Sequence, residues 1–334
     1  MGQSEPPLTA GTRMPNWRAP GAVVLGFARK YGAVVALLLM IATFAILRPS
    51  QFLNYDNVIS ILLQVSVLGI MAVGLTATLI MVEFDLSIGW VASLAGMLVT
   101  GWMAHNGLPV ALAIVLALAV GLGIGILNGV IVTGLGVNAF ICTLAMGSVV
   151  SGVLGWYSIS PIILGVPEGF SRIGQSVIFH VPSPVLIMAV VAIALYVLME
   201  RTVPGRKMYS VGGNREAARL AGVPINRYRI MAFAISGFCA ALAGVLLASE
   251  LGSGQPQGAI GFLLDAFAAT FLGAATWREG EFHIGGTIVG VLIMGVIFNG
   301  LALLNAPAWT TDVLRGAILI AAVGASGILR RRTT

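Results

Sequence analysis

Apolar residues in this chain come in long runs. Nearly uninterrupted hydrophobic stretches cover 31–47, 57–81, 86–104, 109–133, 138–157, 184–199, 229–250, 263–276, 284–304 and 309–329. A helix needs about 20 mostly apolar residues to cross a hydrocarbon core. Most of these runs reach or approach that length, although 31–47 and 263–276 are short. The pattern predicts an all-α polytopic membrane protein with about ten transmembrane helices. The first run is expected to be a retained helix rather than a cleaved secretory signal, because polar, Pro-containing sequence precedes it and "RPSQF" replaces a small-residue cleavage site. Residues 1–28 are therefore expected to form a mobile cytoplasmic tail, and 29–334 a single transmembrane domain.

Charge sets the orientation. Only 9% of the 334 residues are charged, against roughly 25% in a soluble domain. Short basic loops stay cytoplasmic. Ten alternating spans from a cytoplasmic start place fifteen of the eighteen Lys and Arg residues inside, with both termini there. Arg48 and Arg172 fall outside, and Arg315 lies within the last span. The excess of basic residues thus reports topology, and nucleic-acid binding does not follow from it.

Small residues give the packing. Gly121, Gly125 and Gly129 form a GxxxGxxxG ridge. Gly286 with Gly290, and Gly237 with Ala241 or Gly244, offer two more small faces. In lipid, such faces let helix backbones approach closely. Chemistry is scarce by comparison. There is no GxxxxGK[ST], HExxH or CxxC, and His105, His180 and His283 lie in separate places. Cys142 and Cys239 read as small packing residues, so neither nucleotide hydrolysis nor a membrane enzyme has support. Asp85 and Asp265 sit where N-caps are expected, and Asp312 and Arg315, three apart, are expected to neutralise each other.

One segment breaks the apolar pattern. Between Glu200 and Arg229 lie nine of the thirty charged residues. Within it, "NREAARLAG" reads as a short capped helix in a cytoplasmic loop at 200–229. Asn214 is the N-cap, Glu216 falls where the helix dipole favours a carboxylate, and Gly222 ends the helix in a left-handed conformation. Ala217, Leu220 and Ala221 share an apolar face, with Arg215 and Arg219 on another. A stub of this kind suits either a groove on a cytosolic partner or an anionic lipid surface.

"GGNREAARLAGVPINRYRI" resembles the EAA-type loop of ATP-binding cassette importer permeases, with E-A-A-x-x-x-G at Glu216, Ala217, Ala218 and Gly222. From about residue 51 onward the chain resembles the ribose-type sugar permease family. "VEFDLSIG", "NAFICTLAMG", "GSGQPQGAIGFLLDAFAATFLGA" and "GGTIVGVLIMGVIFNGLALL" carry the likeness, in order. The turn "TWREGEFHIGG" is bulkier and more charged than the family's Gly- and Ser-rich turn.

The resemblance implies a type II-like importer permease in a bacterial inner membrane, paired with a second permease subunit. ATP and Mg would be bound by separate cytosolic ATPase subunits, and this chain would hold no cofactor. Coupling would fall to Asn214, Arg215, Glu216, Ala217, Ala218, Arg219, Leu220 and Gly222. An extracytoplasmic sugar-binding protein would dock near Glu168 and Arg172 in the long outer loop. Asn138, Phe140, Thr143 and Asn299 are the pathway candidates, because amides, hydroxyls and an aromatic plate suit a sugar. Scarce membrane charge points to a neutral ligand. The alternative is an ion-driven secondary transporter of a small polar solute. A final expectation is a parallel internal repeat, since "ATLIMVEFDLSIG" and "ATFLGAATWREGEFHIGG" share A-T, E-F and a following Gly.

Overall fold

The computed structural model describes residues 20–158, 162–274 and 280–331, with side chains between 31 and 324. Most of the expected tail, and part of the 276–283 turn including Trp277 and Arg278, lie outside the described residues. The helices are α1 (Pro20–Leu47), α2 (Pro49–Phe52), α3 (Tyr55–Ile80), α4 (Ile88–Ala104), α5 (Val110–Gly134) and α6 (Ala139–Tyr157). They continue with α7 (Glu168–Gln175), α8 (Ser183–Tyr196), α9 (Val203–Gly213), α10 (Arg215–Leu220) and α11 (Ile225–Leu251). The last three are α12 (Phe262–Ala274), α13 (Ile284–Leu303) and α14 (Ala308–Arg331). A π turn at Val197–Arg201 extends α8, and a hairpin pairs β1 (Val177–Ile178) with β2 (Val181–Pro182). Helix α1 starts inside the expected tail, because the apolar stretch "GAVVLGFA" before Arg29 continues the helix.

Among the described residues, six helices are long and apolar enough to cross a membrane: α3, α5, α6, α8 with its π turn, α11 and α13. Helices α4 and α12 are apolar but have 17 and 13 residues. At about 1.5 Å per residue they span roughly 25 and 20 Å, short of a hydrocarbon core of about 30 Å. Irregular backbone at 82–87 and 252–261 precedes them, partly buried in protein, with Glu83, Asp85, Ser87, Ser253, Gly254 and Ala259 enclosed. Non-helical backbone is tolerated at membrane depth only under that condition.

Helix α3 is the central rod. From Val65 to Ile80 every residue is buried, and α8, α11, α12 and α13 pack around it. The glycine ridge of α5 meets the small face of α11. A Cβ on Gly121 would lie 2.3 Å from the Ala241 Cβ, and one on Gly237 would lie 2.3 Å from the Gly121 carbonyl oxygen. Helices α12 and α13 close through Gly273, Gly286 and Gly290 in the same way. Without hydrophobic drive between helices in lipid, backbone proximity of this kind provides the dispersion contact that holds the bundle.

Two turns at one end of the bundle echo each other as the sequence suggests. Val82 (φ 59°) and Gly280 (φ 92°) are both left-handed, and Glu-Phe follows each. Phe84 stacks on Phe267 at 6.1 Å, while Phe282 meets Phe271 edge-on at 5.1 Å. Phe267 and Phe271 are one turn apart on α12, so both turns clamp the same helix.

Candidate functional site

The charged loop folds as α9 and α10, set against the C-terminal end of α3. Asn214 is extended and its Oδ1 accepts the Ala217 N–H at 2.9 Å. Glu216 in the first turn and Arg219 in the last complement the helix dipole and pair at 3.5 Å. Gly222 (φ 74°) reverses the chain, while the Val223 N–H donates to the Ala218 carbonyl at 3.0 Å. That geometry is a Schellman ending, and it favours glycine because a residue with no Cβ escapes the clash that the left-handed conformation imposes. Ala218 is buried toward the bundle. Ala217, Leu220 and Ala221 are exposed, with Leu220 at 82%, so the apolar face of α10 points away from the protein.

An ion cluster ties this loop to the bundle. Arg215 Nη2 and Arg229 Nε both donate to Glu83 Oε1 at 2.7 Å. The Glu83 side chain is 7% exposed and that of Arg229 13%, whereas Arg215 is 44% exposed. Glu83 follows Val82, a β-branched residue held left-handed, where its Cβ is strained. The Glu83 N–H donates to the Thr78 carbonyl at 2.9 Å, so α3 ends in the same motif as α10 with Val82 in the glycine position. Close backbone contact seats α9 as well: a Cβ on Gly212 would fall 1.8 Å from the Ile80 carbonyl oxygen.

Two residues further on, the same turn enters the core. Asp85 is fully buried and accepts from Ser87 N at 3.0 Å, Ser87 Oγ at 2.6 Å and Ser236 Oγ at 2.8 Å. Asn128 Nδ2 donates to Ser87 Oγ at 3.0 Å. The turn thus joins α5 and α11. The simple capping expected of Asp85 is corrected here: Ser87 is the cap residue of α4, and the Asp85 carboxylate is shared between Ser87 of the same turn and Ser236 of α11. Asp265 is likewise no cap. It lies in the first turn of α12, paired with Arg315, which also holds Asp312 at 3.0 Å.

The pathway candidates occupy two separate places. Asn138 Oδ1 accepts from Phe140 N at 2.9 Å at the start of α6. Thr143 is buried, accepting from Leu86 N at 3.0 Å and donating to the Phe84 and Ala139 carbonyls. Phe140 is half exposed and meets Phe84 edge-on at 6.5 Å. Asn299 instead donates to Asn57 Oδ1 at 2.9 Å, and its own Oδ1 has no partner among the described residues. Asn57 opens α3 and Phe84 follows its end, so roughly 35 Å of helix separates the two groups. Glu168 and Arg172 pair at 2.7 Å on the exposed face of α7. Among the described residues, no three His, Cys, Asp or Glu side chains gather where a metal could sit.

A family profile described as branched-chain amino acid transport system / permease component matches residues 57–323, from α3 into α14. The chain belongs to this permease family. Its relatives include a ribose import permease protein of Bacillus subtilis, 37% identical over 89% of this chain and 92% of that one. The L-arabinose transport system permease protein of Escherichia coli is 35% identical over 88% and 89% of the two chains. The D-allose transport system permease protein of the same organism is 30% identical over 90% and 93%. No solved structure matches the chain. The permease assignment gives the architecture its sense: a multi-pass helical bundle built around α3, with two short apolar helices, α4 and α12, packed within it and one short charged helix at its edge.

Proposed function

We propose that this permease is the transmembrane subunit of an importer for a neutral monosaccharide, worked by ATPase subunits on separate chains. The observation that carries the reading is α10. Its three apolar residues face outward, and its arginine is tied through Glu83 to the α3–α4 turn. A helix with so much exposed apolar surface at the tip of a charged loop fits a groove on a partner. The names of the relatives, all permeases for pentoses or hexoses, supply the substrate class.

In this reading the α10 end is cytoplasmic and the chain sits in the bacterial inner membrane beside a second permease subunit. ATP and Mg act on the ATPase. When the ATPase subunits close, they push α10; Glu83 and Gly212 pass the displacement to the end of α3, and the Asp85 cluster passes it to α5 and α11. The bundle then switches the access of its interior between two packings. Phe140, Asn138 and Thr143 flank the inner end of the path, and Asn299 lies toward the outer end.

The purified assembly in liposomes tests this. Leu220→Glu places a carboxylate in the partner groove and is expected to weaken ATPase association by about 2 kcal/mol or more, as loss of a central apolar anchor does. Uptake driven by ATP falls accordingly, while the exposed site leaves the permease folded. Unchanged uptake and ATPase co-purification would remove α10 as the coupling element. Uptake by the permease alone under an ion gradient would replace the reading with secondary transport.

The outer loop carries a smaller expectation. The Glu168–Arg172 pair is solvated and adds little stability, about 0–1 kcal/mol. Glu168→Lys is expected to alter the rate at which the sugar-binding protein docks, with an effect that fades as salt rises. Surface plasmon resonance at two ionic strengths reads it, and a rate indifferent to both would end the docking role.

A further inference from the structure

At the end of the bundle away from α10, helices α3, α11, α12, α13 and α14 surround a cavity of about 370 Å³. Small-molecule sites are typically about 300–1,000 Å³. Its walls carry Gln64, Glu250, Phe262, Asp265, Phe298 and Arg315. Arg315 is fixed and neutralised: its Nη2 donates to Asp265 Oδ2 at 3.2 Å, its Nη1 reaches Asp312 at 3.0 Å, and its guanidinium lies 5.6 Å from the Phe298 ring centre. Gln64 and Glu250 are different. Gln64 is exposed at the mouth of the space and Glu250 half-buried in its wall, and among the described residues neither side chain has a hydrogen-bond or ionic partner.

We propose that this cavity is the seat a neutral monosaccharide occupies on its way through the permease. The inference rests on the importer reading and adds a site to it. The Glu250 carboxylate accepts hydroxyl protons, and the Gln64 amide both donates and accepts. Phe262 and Phe298 offer apolar faces to ring C–H groups, while the charged wall is net negative, with two carboxylates against one guanidinium. A phosphate ester would meet uncompensated repulsion; a polyol would satisfy the open polar groups. The position agrees with a general feature of transporters, in which interrupted helices frame the substrate: α12 begins in this wall. The seat lies near Asn299 and far from Asn138, Phe140 and Thr143.

Cysteine protection in the full-length permease tests the seat. The two native cysteines are buried, so Leu63→Cys and Thr311→Cys in nanodiscs, at wall positions that hold no proposed sugar contact, report the cavity, with Leu112→Cys on the outer face of α5 as control. The probes are ribose, D-allose and L-arabinose, each beside its phosphate ester. The transported sugar is expected to slow maleimide labelling at both cavity positions, about tenfold at roughly ten times its Kd, and to leave the control unchanged. Equal protection by the phosphate ester would overturn the neutral-polyol assignment. Labelling blocked in nanodiscs but free in detergent, whatever sugar is present, would make the cavity a lipid site. Absence of protection while wild-type uptake remains ATP-dependent would sink the seat alone. Uptake that needs no ATPase would sink the importer reading whether or not protection is seen.

Discussion

Gly244→Leu is expected to abolish recovery of folded, monodisperse permease, and Gly290→Leu to do the same. A Cβ on Gly244 would sit 1.9 Å from the Ala92 carbonyl oxygen and 2.6 Å from its carbon. One on Gly290 would sit 1.9 Å from the Ala269 carbonyl oxygen. In both cases the obstacle is backbone of the facing helix, so no rotamer change relieves it. Helices α4 and α11, or α12 and α13, would have to separate along their length. Overpacking by a methylene or two costs about 1–3 kcal/mol where side chains can give way. Here they cannot, and total stability is only about 5–15 kcal/mol. Gly123→Leu is the control, because nothing lies within 4 Å of a Cβ there. Size-exclusion profiles in detergent decide the matter. If Gly244→Leu ran like Gly123→Leu with the same thermal midpoint, the seam would not hold the bundle.

Seams of this kind were visible in advance because they are periodic. The GxxxGxxxG ridge on α5 and the Gly237–Ala241 face on α11 could each be read from the chain alone, and the structure joins them to each other. The long apolar runs likewise became helices. The charged residues were harder. Asp85 and Asp265 look like caps because capping is local and depends on the next few residues. Asp85 does keep Ser87 two residues on, but the partners that tie these carboxylates to other helices, Ser236 and Arg315, are 151 and 50 positions away. Glu83 bonds Arg215 and Arg229 across 132 and 146 positions. No periodicity encodes such pairings. The only trace was energetic: carboxylates inside an apolar run demand compensation from somewhere. The small outer elements, α7 and the hairpin, were missed for another reason. Both are short; α7 is half polar, and the hairpin turns through left-handed Phe179 and His180, a conformation that sequence disfavours for such residues.

Glu83→Gln is expected to uncouple α10 from the bundle and end transport. The amide keeps the shape of the carboxylate but leaves Arg229, almost buried, facing no negative charge. Removing one member of a buried pair costs about 3–5 kcal/mol, because the remaining charge is desolvated without compensation. Arg215 is nearly half exposed, so water screens it and its share is small. The expected order of damage is therefore Glu83→Gln, then Arg229→Gln, then Arg215→Gln. The loss should be local before it is global. Helices α9 and α10 depend on Glu83 and the Gly212 contact for their seat, whereas α3 and α11 are held along their length by other helices. Hydrogen exchange should accelerate across 203–224 while the centres of α3 and α11 stay protected. Pairing Glu83→Arg with Arg229→Glu should recover part of the protection, since the pair is reformed with its signs exchanged. A merely structural glutamate would show the exchange change without loss of ATP-driven uptake. Protection over 203–224 matching the unmodified chain would mean that the arginines hold nothing there and that any displacement of α10 reaches α3 by another route.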